Sequence, residues 1–249
     1  MQNEDIIEFN KNGWNELIKS NTLFSNTSLP EYGPFMSSEE NLQLFKDVNN
    51  KIVLELGSGS GQSLKYLSKK GAKEIWGIDI SHEQIERAKK LNIKNSKFIL
   101  SAMEENNKIP TNYFDYVFSL YSIGYSSNPL KVFELASSYL KKNGKFILCW
   151  THPFFNCLDI KDDKLTIKHS YNDESAKIIK KGEKGIEFIQ YNLKISTLIN
   201  GLISSGMEIE QIIEESPQVE NNIGYISSYW DEKKLNVSPT TLIIVAKKK

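Results

Sequence analysis

The stretch Lys51-Ile52-Val53-Leu54-Glu55-Leu56-Gly57-Ser58-Gly59-Ser60-Gly61-Gln62 constrains this chain more than any other. An apolar run suited to a buried strand breaks into three alternate glycines, and apolar residues at helical spacing, Leu64, Tyr66 and Leu67, resume behind them. Glycine has no Cβ, so it takes positive φ and lets a ligand lie against the backbone, while the first amides of the following helix face whatever is bound there. A buried strand, a tight turn and a helix thus form one ligand-facing unit.

The sequence behind this unit alternates strands with helices. Strands are predicted at 74–80, 97–100, 114–120 and 145–151, and helices at 62–70, 81–91 and 129–140. Ser81 and Gln84 form a capping pair, and Pro129 sits in a first helical turn. Such alternation favours parallel pairing with right-handed crossovers, hence a doubly wound Rossmann-like α/β sheet with its ligand crevice at the carboxyl ends of the strands. Ahead of it the spacing predicts an amphipathic helix over 5–20 capped by Asp5, an irregular linker over 21–34, and a short helix opened by Ser37-Ser38-Glu39-Glu40. Behind it, 165–169 and 187–191 read as two strands of an antiparallel flap flanking a solvated, Lys-rich loop over 177–184. A helix over 193–205 and strands over 207–213 and 241–246 complete the chain. The whole reads as a single domain over 1–249: a helical lid over 1–50, a core over 51–151, an insertion or flap over 152–192, and the rest of the sheet over 193–249.

Charge and cysteine content narrow the function. Lys+Arg and Asp+Glu both number 31, so no bulk field attracts a polyphosphate, and nucleic acid is disfavoured as a partner. Met1-Gln2-Asn3-Glu4-Asp5 lacks the features of a signal peptide and no apolar run approaches a membrane span, so a cytoplasmic protein, a monomer or homodimer without membrane contact, is expected. Cys149 and Cys157 have no metal-type spacing to His82, His152 or His169, so reduced structural thiols and no metal are expected.

Glycine spacing then separates two ligand classes. A dinucleotide turn wants Gly-x-Gly-x-x-Gly, whereas this chain has Gly-x-Gly-x-Gly with Gln62 following, preceded by the carboxylate of Glu55. A carboxylate beside the turn suits a ligand carrying an ammonium group, which points to S-adenosylmethionine rather than NAD. Asp79, at the end of the second strand, can accept ribose hydroxyls from either.

With these residues the chain resembles the class I S-adenosylmethionine-dependent methyltransferases, over roughly 51–151. Glu55-Leu56-Gly57-Ser58-Gly59-Ser60-Gly61 is similar to the family's first motif, Gly77-Ile78-Asp79-Ile80-Ser81 to its ribose-binding acid, and Phe114-Asp115-Tyr116-Val117 to its fourth-strand entry. Leu140-Lys141-Lys142-Asn143-Gly144-Lys145 and Trp150-Thr151-His152-Pro153-Phe154 resemble the approach to and the end of the fifth strand in the small-molecule branch. The resemblance implies about seven strands with the last antiparallel, S-adenosyl-L-methionine as cofactor, and cofactor contacts from Glu55, Gly57, Ser58, Gly59, Gly61, Asp79, Ile80, Ala102, Met103 and Ser119. Two departures stand out. Many relatives end the third strand in an Asp that reads the adenine amine, and this chain has Ser101-Ala102-Met103-Glu104, with Glu104 an alternative acceptor. The branch also tends to carry Tyr-His-Arg before a late helix, and Tyr191-Asn192-Leu193 keeps only the tyrosine.

Methyl transfer from a sulfonium needs orientation and, for a protonated acceptor, a base. His152 is the candidate base because it ends the fifth strand at the crevice; the competing reading is a structural histidine at the turn made by Pro153. Tyr121 and Tyr125 follow the fourth strand at the same rim. Trp14, Tyr32, Phe35, Tyr191, Tyr225, Tyr229 and Trp230 lie outside the core repeat and can close a lid or simply pin the added segments down. Enzymes that methylate DNA amines or protein glutamine often carry Asn/Asp-Pro-Pro-Tyr after the fourth strand. Ser119-Leu120-Tyr121-Ser122 stands there instead, favouring a small-molecule acceptor methylated on oxygen or nitrogen. An RNA-modifying enzyme and a non-catalytic S-adenosylmethionine-binding protein are the alternatives.

Overall fold

The computed structural model describes residues 2–20, 30–105, 109–182, 184–218 and 229–249, and Tyr225 of the expected lid lies outside them. Two helices, α1 (Asn3–Lys19) and α2 (Glu39–Leu42), precede the core. The core then runs β1 (Ile52–Leu56), α3 (Gln62–Lys69), β2 (Glu74–Asp79), α4 (His82–Lys90), β3 (Ser96–Leu100), β4 (Phe114–Leu120), α5 (Pro129–Tyr139) and β5 (Leu140–Thr151). Two hairpins follow, β6 (Leu158–Lys161) with β7 (Lys164–Ile167) and β8 (Lys177–Lys181) with β9 (Ile186–Gln190). The chain closes with α6 (Ile195–Ser204), β10 (Met207–Ile213), α7 (Glu232–Leu235) and β11 (Thr241–Lys248).

Seven strands form one sheet in the order β10-β11-β5-β4-β1-β2-β3. Pairing is parallel from β5 through β4, β1 and β2 to β3, while β11 runs antiparallel to both β5 and β10. Successive side chains of a strand point to opposite faces, and the two cores follow that rule. Leu54, Val117, Leu148 and Ile244 pack on one face with Phe133 of α5 and Leu202 of α6. Val53, Phe118, Ile147 and Ile243 pack on the other with Leu64 and Leu67 of α3. With both faces covered, the order of the strands reverses beside β1, and the crevice opens at the carboxyl ends of β1 and β4.

The expected helices and core strands are present with small shifts at their ends. Ser81 caps α4 by accepting from the Gln84 N–H (3.3 Å). Asp5, expected as the cap of α1, stands inside its first turn and accepts from the Gln2 N–H (2.9 Å). The insertion differs more. The strands expected at 165–169 and 187–191 do not pair with each other: β7 folds back on β6, and β9 pairs with β8. The Lys-rich run read as a solvated loop is largely β8, because Ile178 and Ile179 supply strand propensity; Ile178 and Lys180 are exposed, and Lys177, Ile179 and Lys181 are half-buried.

The β8–β9 hairpin and α1 together roof the crevice, and Asn10 joins them. Buried at 1% exposure, its Nδ2 donates to the carbonyls of Tyr125 and Ile189 (both 2.9 Å), and its Oδ1 accepts from the Ile189 N–H (2.8 Å). Asn15 of α1 accepts from the Ser81 hydroxyl (2.8 Å), fixing the helix over α4. Leaving buried donors or acceptors unmet costs about 1–3 kcal/mol each. Asn10→Ala should therefore lower the melting temperature, and Asn10→Asp, which turns a carboxylate toward two carbonyls, should lower it further at neutral pH. Thermal unfolding followed by circular dichroism checks the order.

Candidate active site

Two neighbouring strands build the floor of the crevice. The turn after β1 is pinned to the end of β2 because the Gly57 and Ser58 N–H groups both donate to the Ile78 carbonyl (2.8 Å each). Gly57, Gly59 and Gly61 take φ of +74°, +51° and +77°, a region that side-chain-bearing residues rarely adopt. A Cβ on Gly57 would also stand 2.3 Å from Ser122 Cβ, so the turn and the β4 exit can only meet across a glycine. Ser122 seals that contact by donating to the Leu56 carbonyl (2.6 Å), and its hydroxyl lies 2.7 Å from that of Ser119.

Two carboxyl groups lie at this floor. Asp79 is 9% exposed; its Oδ2 accepts from the Gly59 N–H and its Oδ1 from the Ser81 N–H, both at 2.8 Å. Burial pushes its carboxyl up to about 6, against the opposing effect of the Ser81, Gly59 and Ile80 amides. Glu55 is buried more deeply, and its carboxyl is held well above the usual range, first by burial and then by the neighbouring charge of Asp79, with a Ser63 hydrogen bond opposing. Glu55 Oε2, Ser58 Oγ and Gln84 Oε1 are buried without a hydrogen-bond partner in the protein, and all three residues line the crevice. Orphaned acceptors beside an electron-rich floor suit a ligand that brings N–H donors and a positive charge.

From this floor one cavity of about 1360 Å³ runs up to the roof, where it is lined by Trp14 of α1, Tyr125, Trp150 of β5 and Lys181 of β8. The rings of Trp14 and Tyr125 meet edge to face at 5.1 Å, and those of Tyr125 and Trp150 at 5.4 Å. The volume exceeds the roughly 300–1,000 Å³ common for a single small ligand, so a cofactor and a second molecule fit together.

Of the residues predicted for the site, Glu55, Gly57, Ser58, Asp79, Ile80, Ala102, Met103 and Tyr121 line this cavity. Gly59, Gly61 and Ser119 stand behind it, where Gly59 holds Asp79, Gly61 opens α3 and Ser119 braces Ser122. Ser101 lines it, but its hydroxyl is drawn into its own loop, toward the Ala102 carbonyl (3.0 Å) and Glu105 Oε2 (3.1 Å). Glu104, expected as an alternative adenine acceptor, spends Oε1 on the N–H and hydroxyl of Ser127 (both 2.7 Å). Tyr121 has a left-handed backbone (φ +53°) and bonds its hydroxyl to Thr241 Oγ1, with burial holding that hydroxyl's pKa far above its normal value. His152 lies off the cavity wall at 6% exposure. Its Nδ1 accepts from the Phe154 N–H (3.3 Å), and its Nε2 lies 2.7 Å from Glu214 Oε1. Tyr32 and Phe35 are core residues rather than lid: the Tyr32 hydroxyl donates to Glu39 Oε2 (2.5 Å), and Phe35 packs with Phe155 and Leu235. As lining residues, sequence reading missed Asn10, Gln84, Ser122, Trp150 and Lys181, which reach the site through tertiary packing.

Four likenesses bear on this geometry. Residues 54–148 match the family model for the methyltransferase domain. An uncharacterised protein of Haemophilus influenzae is 27% identical over 221 residues, covering 83% of this chain and 85% of that protein. A phosphoethanolamine N-methyltransferase of Plasmodium falciparum is 27% identical over 154 residues, 61% of this chain and 53% of that one. Among solved structures, a provisionally assigned S-adenosylmethionine-dependent methyltransferase from Listeria monocytogenes aligns with a TM-score of 0.69 at 26% identity, over 85% of this chain and 97% of its own. Among the described residues no helix is long and apolar enough to cross a membrane, and no His, Cys, Asp and Glu cluster could hold a metal ion. The sheet order, the glycine turn with its two carboxyl groups and these likenesses agree: residues 54–148 form a methyltransferase domain, and the chain is an S-adenosylmethionine-dependent methyltransferase with S-adenosylmethionine as its expected cofactor.

Proposed function

We propose that this methyltransferase transfers a methyl group to an oxygen or nitrogen of a small-molecule acceptor held under α1 and the β8–β9 hairpin. The observation that carries this reading is that one cavity joins Glu55 and Asp79 to Trp14 and Trp150. An RNA substrate would call for an open basic face, and the chain is neutral overall with its aromatic wall roofed over. The segment Ser119-Leu120-Tyr121-Ser122 offers no Pro-Pro-Tyr platform for a protein glutamine or a nucleobase. The Plasmodium relative, by its name, methylates the nitrogen of a small phosphorylated amine, which agrees with this class.

When bound, S-adenosylmethionine supplies a methyl group activated on a sulfonium. Glu55 and Ser58 would receive its amino-acid end, Asp79 its ribose hydroxyls, and Ala102 and Met103 would flank the base. Trp14, Tyr125 and Trp150 would exclude water and orient the acceptor, which is the main contribution a protein makes to an in-line displacement. In this reading His152 and Tyr121 act by position. The His152 ring, accepting at Nδ1 and bonded at Nε2, ties the β5 exit to Glu214, and the Tyr121 hydroxyl ties the β4 exit to β11.

Three outcomes are expected. Incubation with small hydroxyl and amine acceptors should release S-adenosylhomocysteine while transfer RNA and ribosomal RNA release none; release from RNA alone would overturn the small-molecule assignment. His152→Asn should slow single-turnover transfer less than about tenfold, whereas loss of a general base would slow it about a hundredfold or more. Asp79 must be ionised to accept two hydroxyls, and its carboxyl in the unliganded protein sheds its proton near 6. Cofactor affinity measured by calorimetry should thus be level above about pH 7 and weaken as the pH falls through that value, and Asp79→Asn should remove about one proton from the slope.

A further inference from the structure

The roof of the cavity is chemically unlike its floor. Lys177, Ile179 and Lys181 alternate on one face of β8, and all three line the cavity. Across the ladder, Phe188 is fully buried on the same face and its ring packs 4.7 Å from that of Trp14. Lys181 lies over two aromatic rings at once, with its ammonium 5.2 Å from the centre of Tyr125 and 5.8 Å from that of Trp14. Both distances fall inside the range in which a ring face attracts a cation. The aromatic pair therefore holds the lysine head at the wall of a partly dehydrated chamber rather than letting it reach bulk water.

Cationic side chains outnumber carboxylates around this lysine. Lys168, His169, Lys177, Lys180 and Lys181 line this end of the cavity, against Asp173 and Glu31. Asp173 is engaged by Lys177 at 2.8 Å, and Lys180 pairs with Glu187 at 3.4 Å. His169 records the resulting field: its pKa is lowered by burial and then by Lys168 and Lys177. The carboxyl groups of Glu55 and Asp79 belong to the opposite, floor end. A cavity basic at its roof and acidic at its floor orients a ligand pair, with cationic groups down and anionic groups up.

We propose that the methyl acceptor is an acid, with a carboxylate or phosphate monoester bound by the Lys181 ammonium and a flat or apolar body lying against Trp14, Tyr125 and Trp150. The inference rests on the small-molecule reading above and deepens it. Lys181 is a specificity-determining residue: aromatic contacts hold it in place, and an acidic group entering the chamber meets a positioned cation. A charge-assisted hydrogen bond in such a setting separates an acid from its neutral isostere by about tenfold or more. Burial also pushes the Lys181 ammonium's pKa down to about 8, so an incoming anion would restore its full charge.

The test uses benzoate, phenyl phosphate and the neutral benzamide as matched probes on the full chain loaded with S-adenosylmethionine, followed by tryptophan fluorescence, since Trp14 and Trp150 line the cavity. At least one anion should bind more than about tenfold more tightly than benzamide, and the better of the two identifies the acid class. Lys181→Met, which keeps the apolar stem, should bring that ratio close to one, and Lys181→Arg should retain it. Equal binding of all three probes by the wild type, failure of both anions to bind, or a ratio that survives in Lys181→Met would each overturn the proposal. Comparison within the wild type keeps the test decisive even if a variant folds poorly. Calorimetry with S-adenosylmethionine alone separates the two levels: no cofactor binding sinks the methyltransferase reading, whereas cofactor binding without discrimination between anion and amide sinks only the acid acceptor.

Discussion

The structure depends on a knot of four hydrogen bonds at the end of β2, three of them to the turn after β1. The Ile78 carbonyl receives two amides from the glycine turn, and the Asp79 carboxylate receives one from that turn and one from the start of α4. These bonds fix the loop in a left-handed path that only glycine follows cheaply. They also keep a carboxylate tolerable in a buried position, because each oxygen accepts a backbone N–H. The same knot leaves Glu55, Ser58 and Gln84 with unmet acceptors around an electron-rich floor. Folding and ligand binding are thus linked at one place: the bonds that close the first βαβ unit also aim unsatisfied groups into the cavity.

The roof is attached by different means. Among the described residues no strand of the main sheet pairs with the β8–β9 hairpin; Leu17 of α1 and Ile186 and Phe188 of β9 join the main core, and side-chain hydrogen bonds to backbone groups fix the position of both elements. Asn10 bridges the helix, the hairpin and the turn after β4, and Arg87 Nη2 of α4 donates to the Ile18 carbonyl (2.8 Å). Trp14, Tyr125, Trp150 and Phe188 then pack as interlocking edges and faces. Side-chain packing holds the roof while backbone bonds of the sheet hold the floor, so the two halves of the cavity answer to separate physical constraints.

Two lysines illustrate how context assigns a role to one residue type. Burial pushes the ammonium pKa of both Lys181 and Lys234 down to about 8. Lys234, 1% exposed, donates to the Tyr229 carbonyl (2.9 Å) and lies 4.2 Å from the centre of the Phe155 ring, closing a packed corner with its hydrogen bond satisfied internally. Lys181 sits on comparable aromatic faces but at a cavity wall. The first is a staple in a packed corner; the second is held by ring faces at the wall of the cavity.

Much of this was legible in the residues themselves. The alternation of apolar runs with helical spacing prescribed the doubly wound sheet, and the interval between Glu55, the three glycines and Asp79 marked the turn that floors the cavity, because local backbone geometry and a single βαβ unit decide both. The reach of that signal ends where distant segments meet. The pairing of β8 with β9, the partner of the His152 ring, the turning inward of Ser101 and Glu104, and the convergence of Trp14 from α1 with Lys181 from β8 all bring together residues far apart in the chain. By itself the sequence determined the strand–turn–helix unit and the chemistry of the cofactor end, since these rest on short-range φ, ψ and period. Only the tertiary structure decided what the acceptor end presents, because burial, ring contact and net field are sums over neighbours that no local pattern encodes.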